Sequence, residues 1–174
     1  MALLERDRAT LVVVDVQEGF RSYPAFAGVA ESCGKLVQAA RILDLPRLAS
    51  EQYPKGLGHT VPEVGLTDER RIEKTVFSAA RAEGFDLDGR DQAIVCGIEA
   101  HVCVSQTVHD LLGQGVEVHV PADAVGSRHD IDYDRGLERM ERAGAVVGTV
   151  EAALFELLER AGTPEFKAVQ RLIL

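Results

Sequence analysis

Cys103 is the residue of this chain best placed to act as a nucleophile. It follows the apolar run Ala93-Ile94-Val95-Cys96, a break at Gly97 and a short polar turn, and it falls among the first residues of a helical pattern from Val102 to Leu112. A helix N-terminus offers unpaired N–H groups and the positive end of the peptide dipole, and both favour a thiolate near neutral pH. Gly97 accepts backbone angles that other residues resist, which predicts a sharp turn that exposes the sulfur. Such a nucleophile also needs a cation beside it and a group that shuttles protons. Lys74 can supply the charge. Asp15, which closes the run Leu11-Val12-Val13-Val14, can handle the proton, because a carboxylate at the mouth of an apolar strand is partly desolvated. N–H groups in the turn ahead of Cys103 could bind a developing oxyanion, where losing one donor costs roughly 3–4 kcal/mol.

Taken singly, each residue has a plainer reading. Asp15 could end a strand and cap a loop, and Lys74 could solvate a surface. Glu99 could be a solvated turn residue and His101 a helix-start donor. Cys33 lies on the apolar face of a helical segment and Cys96 inside a strand, so both read as inert core thiols. Their convergence on one sheet edge is what carries weight.

The elements that must position these groups alternate between strand and helix. Leu11–Val16 is a continuous β-branched run, the mark of a strand covered on both faces. A helix is expected from Val29 to Leu43, a weaker strand over Pro46–Glu51, and a long loop from Gln52 to Leu66 with three Gly and two Pro. Ile72–Phe77 is expected to be extended, with a helical start at Ser78. Strands follow over Asp91–Cys96, Val116–Pro121 and Ala145–Gly148, with helices over Ile131–Arg142, Glu151–Arg160 and Pro164–Ile173. This pattern predicts an α/β fold, a mainly parallel sheet with helices on both faces. In such sheets ligands bind beyond the carboxyl ends of the strands. Asp15, Gln52, Tyr53, Lys74 and the stretch Glu99–Cys103 all fall on that edge.

Composition narrows the function classes. At 174 residues the chain fits one domain with a substantial core. A formal net charge of -9 argues against nucleic-acid binding, which leaves a basic footprint. No apolar run approaches the ~20 residues that span a bilayer, so no membrane partner is expected. The charged start Met1–Arg8 lacks a signal-peptide core, and three cysteines without CxxC or metal spacing suit a reducing cytoplasm.

The motifs Val13-Val14-Asp15-Val16-Gln17-Glu18-Gly19-Phe20, Glu73-Lys74-Thr75-Val76-Phe77-Ser78 and Cys96-Gly97-Ile98-Glu99-Ala100-His101-Val102-Cys103-Val104 occur in the order found in isochorismatase-like cysteine hydrolases, and nearly the whole chain resembles that family. Glu51–Gly58 and Glu165–Leu172 resemble its isochorismatase domain-containing subgroup. The resemblance implies a three-layer αβα sandwich with roughly six strands and a triad of Asp15, Lys74 and Cys103. It implies a cis bond between Ile98 and Glu99, with the N–H groups of Glu99 and Cys103 as oxyanion hole. It also implies a homo-oligomer, a dimer or larger, acting on a small-molecule substrate.

Nicotinamidases in that family bind a divalent metal through an Asp and two His after the second strand. Here the region offers Gln52, Tyr53 and His59, so no metal and no cofactor are expected. Retention of the cysteine favours covalent acyl chemistry over the vinyl-ether hydrolysis of true isochorismatases. The expected activity is therefore cleavage of a C–N bond in a small amide or carbamoyl compound through a thioester, with Gln17, Phe20, Gln52, Tyr53 and Phe77 shaping the pocket. Two alternatives stand beside it: vinyl-ether or ester hydrolysis with Asp15 as acid, and an interaction protein that keeps the fold without a catalytic cycle.

Overall fold

All six residues of the first strand, β1 (Ala9–Val14), are buried, because it runs in the middle of a sheet covered on both sides. The computed structural model describes residues 3–174. Side chains alternate across the pleat. Leu11 and Val13 enter one core and Val12 and Val14 the other. Along the chain follow α1 (Phe26–Ile42), β2 (Arg47–Gln52), the single-turn α2 (Pro54–Leu57), β3 (Arg70–Lys74) and β4 (Gln92–Ile98). Next come α3 (Ser105–Gly113), β5 (Glu117–Pro121), β6 (Val125–Gly126), α4 (Asp130–Ala143), β7 (Val146–Gly148), α5 (Val150–Leu158) and α6 (Pro164–Ile173).

The strands are parallel in the order β3-β2-β1-β4-β5-β7. Two-residue β6 pairs with Gly97 and Ile98 at the carboxyl end of β4, while β5 pairs with Gln92–Ile94 at the other end of the same strand. Apolar side chains of α1, α5 and α6 close one face, and those of α3 and α4 close the other. The result is an α/β fold of three layers. Thr149 and Thr163 cap α5 and α6 by accepting from Ala152 N and Phe166 N, and Pro164 opens α6 where its missing N–H costs nothing.

Several boundaries differ from the sequence reading. The strand expected to break at Gly97 continues through it to Ile98, with Gly97 opposite Val14. Gly97 has φ of 118°, and a Cβ there would lie 2.0 Å from the Val14 carbonyl oxygen, so glycine serves close strand approach rather than an exposing turn. The extended stretch Ile72–Phe77 is laddered only to Lys74, because the carbonyls of Val76 and Phe77 turn in toward the Lys74 ammonium. The helical start at Ser78 is one tight turn, Ala79–Arg81. The Gln52–Leu66 loop contains α2 and a second short turn, Pro62–Val64.

Candidate active site

Asp15 directly follows β1 in a left-handed conformation, φ 52°. Both its carboxylate oxygens are engaged: Ser50 Oγ donates to Oδ1 at 2.7 Å and Lys74 Nζ to Oδ2 at 2.7 Å. The Asp15 and Lys74 side chains are fully buried. Lys74 also donates to Gln52 Oε1 at 2.6 Å and to the Phe77 carbonyl at 2.8 Å, so the ammonium is held by strand ends β1 and β2 and by its own following loop. A buried charge is tolerated only when paired and hydrogen-bonded in this way.

Cys103 lies in a wide turn, Ala100–Val104, that runs into α3. Val104 N donates to Glu99 O, five residues back, at 3.1 Å, which marks the turn as π-helical, a form that often sits at functional sites. The Cys103 carbonyl accepts from Thr107 Oγ1 at 2.7 Å, and that hydroxyl in turn accepts from Ala79 N at 2.8 Å. Thr107 thereby ties the Ala100–Val104 turn to the loop that wraps Lys74. From the other side α4 presses on the turn at Gly136, where a Cβ would lie 2.9 Å from the Ala100 carbonyl carbon. The peptide bond between Ile98 and Glu99 is cis.

Cys103 is 6% exposed, and its sulfur donates to Gln52 Oε1 at 3.8 Å. Burial, reinforced by the negative Asp15 carboxylate, pushes the Cys103 thiol up to about 12; Lys74 pulls the other way without prevailing. This corrects the expectation of an exposed resting thiolate. Desolvation and the Asp15 carboxylate together outweigh the ammonium.

A cavity of about 680 Å³ opens over Cys103. Phe20, Gln52, Phe77, Glu99 and Cys103 are on its wall. Two residues expected there are elsewhere. Tyr53 is 55% exposed and lines a separate hollow with Lys55, Glu73 and Lys74. Gln17 is wholly buried; its amide accepts from Gln52 N at 2.7 Å and donates to the carbonyls of Gln52 and Gly58 at 3.0 and 2.6 Å, so it stitches the loop after β2 to β1. The wall also includes Tyr23, Leu57, Val102 and Arg128, which the sequence reading did not single out. Tyr23 follows Phe20 by three residues and packs on it at 5.3 Å, a spacing that was available as a signal. Arg128 follows a strand too short to be recognised from pattern.

The residues after β2 do not suit the metal set of nicotinamidases. His59 Nδ1 lies 2.9 Å from Glu51 Oε2, whose carboxylate also accepts from Thr60, and Gln52 is taken up by Lys74. Among the described residues no three His, Cys, Asp or Glu side chains gather as metal ligands would, and no helix is long and apolar enough to cross a membrane.

The isochorismatase domain family matches residues 9–152. The chain is 40% identical over 171 residues to isochorismatase domain-containing protein 2A of Mus musculus, covering 96% of this chain and 83% of that one. A solved structure of MAR1 ribonuclease from Caenorhabditis elegans superposes with a TM-score of 0.92 at 40% identity, covering 99% of this chain and 92% of that one. The YcaC gene product of Escherichia coli, described as an octameric hydrolase of unknown specificity, shares the fold with a TM-score of 0.87 at 23% identity, over 99% of this chain and 91% of that one.

Proposed function

The chain belongs to the isochorismatase family, and from that premise we propose that it is a cysteine hydrolase cleaving a C–N bond of a small amide or carbamoyl substrate. The observation that carries this reading is the fully buried Asp15–Lys74 ion pair that acts on Cys103, a residue of the cavity wall. As Cys103 Sγ attacks the substrate carbonyl carbon, its proton passes to Asp15. The carbonyl electron pair moves to oxygen, which is received by the N–H groups of Glu99 and Cys103. Collapse of that intermediate expels the amine, which takes the proton from Asp15, and leaves a thioester. Asp15 then removes a proton from water, which attacks the thioester, and the sulfur leaves as a thiol with that proton. Lys74 holds the Asp15 carboxylate in place and offsets negative charge at the sulfur.

The reading includes a homo-oligomer, a dimer or larger, as YcaC of Escherichia coli is an octamer. It assigns no cofactor, and a cytoplasmic setting accords with three free thiols among the described residues. A polyanionic substrate such as RNA, suggested by the name of the Caenorhabditis elegans relative, is disfavoured by 28 acidic against 19 basic side chains.

Intact-mass spectrometry with a panel of small amides tests the reading. Wild-type protein is expected to gain an acyl adduct that Cys103→Ala lacks. Turnover that survives Cys103→Ala but not Asp15→Asn would replace it with vinyl-ether or ester hydrolysis. Neither turnover nor adduct across the panel would replace it with a non-catalytic interaction role.

A further inference from the structure

Two of the backbone bonds that close the Ala100–Val104 turn converge on one acceptor, since Val102 N and Val104 N both donate to Glu99 O at 3.1 Å. Turns of this width are rare, and this one is also held by side chains. Thr107 grips it at the Cys103 carbonyl. A second grip belongs to His101, whose imidazole leaves the turn for two other elements. Its Nδ1 lies 3.0 Å from Ser127 Oγ, and its Nε2 lies 3.9 Å from Asp132 Oδ2 on α4.

Ser127 is a firm anchor. It is 6% exposed and directly follows β6, whose Gly126 pairs with Ile98. Gly126 in turn sits tight against α1, where an added Cβ would lie 2.8 Å from Val29 Cγ2. The Asp132 carboxylate, an acceptor only, favours the imidazole proton on Nε2, which leaves Nδ1 to accept from the Ser127 hydroxyl. The cavity wall takes in Glu99, Val102 and Cys103, while the His101 ring is directed to Ser127 and Asp132. Whatever His101 contributes to chemistry therefore passes through the backbone that it holds.

We propose that His101 is a positioning residue: anchored on Ser127, it holds the turn so that the N–H groups of Glu99 and Cys103, two residues to either side of it, face the substrate oxygen as the sulfur attacks. This rests on the reading of Cys103 as the nucleophile of a hydrolase. Misplacing such donors by a fraction of an ångström weakens stabilisation of the oxyanion without removing the sulfur.

The test compares two reactions of Cys103, one that forms an oxyanion and one that does not. With p-nitrophenyl acetate, Sγ bonds to the acetyl carbon, p-nitrophenolate leaves and the thiol proton passes to Asp15. Iodoacetamide alkylates the same sulfur by direct displacement of iodide. His101→Ala is expected to slow acetylation by about ten-fold or more and to leave alkylation within about two-fold of wild type. Ser127→Ala should match it, and the double variant should be no slower than either single one. His101→Asn, whose amide oxygen can still accept from Ser127, should recover part of the rate. Acetylation of His101→Ala within about two-fold of wild type, equal slowing of both reactions, or effects that multiply in the double variant would each overturn the proposal and leave the hydrolase reading standing. A wild-type Cys103 that takes iodoacetamide but no acetyl group would remove that reading, and this inference with it.

Discussion

The Lys74 ammonium meets the Asp15 carboxylate at 2.7 Å with both side chains cut off from solvent, and Ser50 fixes the other carboxylate oxygen. Removing one member leaves a buried charge without its partner, which typically costs about 3–5 kcal/mol. Lys74→Met is therefore expected to lower stability by about that amount in urea unfolding. It should also abolish adduct formation. Unfolding indistinguishable from wild type would show that the pair is not buried as described.

The raised Cys103 thiol gives a prediction whose two halves run in opposite directions. Asp15 is a cause of the upward shift, so Asp15→Asn should lower it and increase the thiolate fraction near pH 8. Alkylation of Cys103 by iodoacetamide at that pH is expected to quicken in the variant, while amide turnover falls by about 100-fold or more through loss of the proton carrier. Parallel decline of both rates would mean that Asp15 activates the sulfur at rest.

Gly136 tests the packing of α4 against the Ala100–Val104 turn. Glycine to alanine inside a helix ordinarily stabilises by about 1 kcal/mol. Here the added Cβ would lie 2.9 Å from the Ala100 carbonyl and 3.0 Å from His101 N. Gly136→Ala is expected to destabilise by about 1–3 kcal/mol and to slow acylation of Cys103, because the turn must shift to admit the methyl group. A rise in melting temperature with full activity would contradict this contact.

His119, on β5, is 5% exposed, and its Nε2 has no hydrogen-bond partner. Burial holds its pKa below the ordinary value, with Glu156 and Glu117 opposing that shift. The folded state thus favours the neutral ring. The stability this contributes is complete above about pH 6.5 and is lost as pH falls through the lower folded pKa. The urea midpoint should drop as pH falls below about 6.5, and His119→Phe should flatten that part of the curve. An unchanged slope in the variant would assign the acid loss to other groups.

The order of elements was legible because parallel strands buried on both faces leave continuous apolar runs, as in Leu11–Val14 and Ala93–Cys96. Pro164–Ile173 was read to the residue, since Pro and the preceding Thr punctuate its start. The site was legible only in part. Gln52 and Tyr53 were expected on one wall, but the pleat ends at Gln52 and successive side chains there point apart. Tyr53 then adopts φ 37° and turns outward. The state of Cys103 was misread because sequence conveys the helix end and the lysine but not the degree of burial, which dominates. Arg128 escaped because its position depends on β6, whose two residues carry no periodicity.

Val14 sits opposite both Ser50 and Gly97, and Asp15 is the next residue along. Insertion or deletion of one residue within β1 would barely alter its hydrophobicity, yet it would invert which side of the sheet receives the carboxylate. The spacing of that segment is accordingly as much an inherited requirement as the acid itself. Variation in chain length should be found in the connections around it and not inside it.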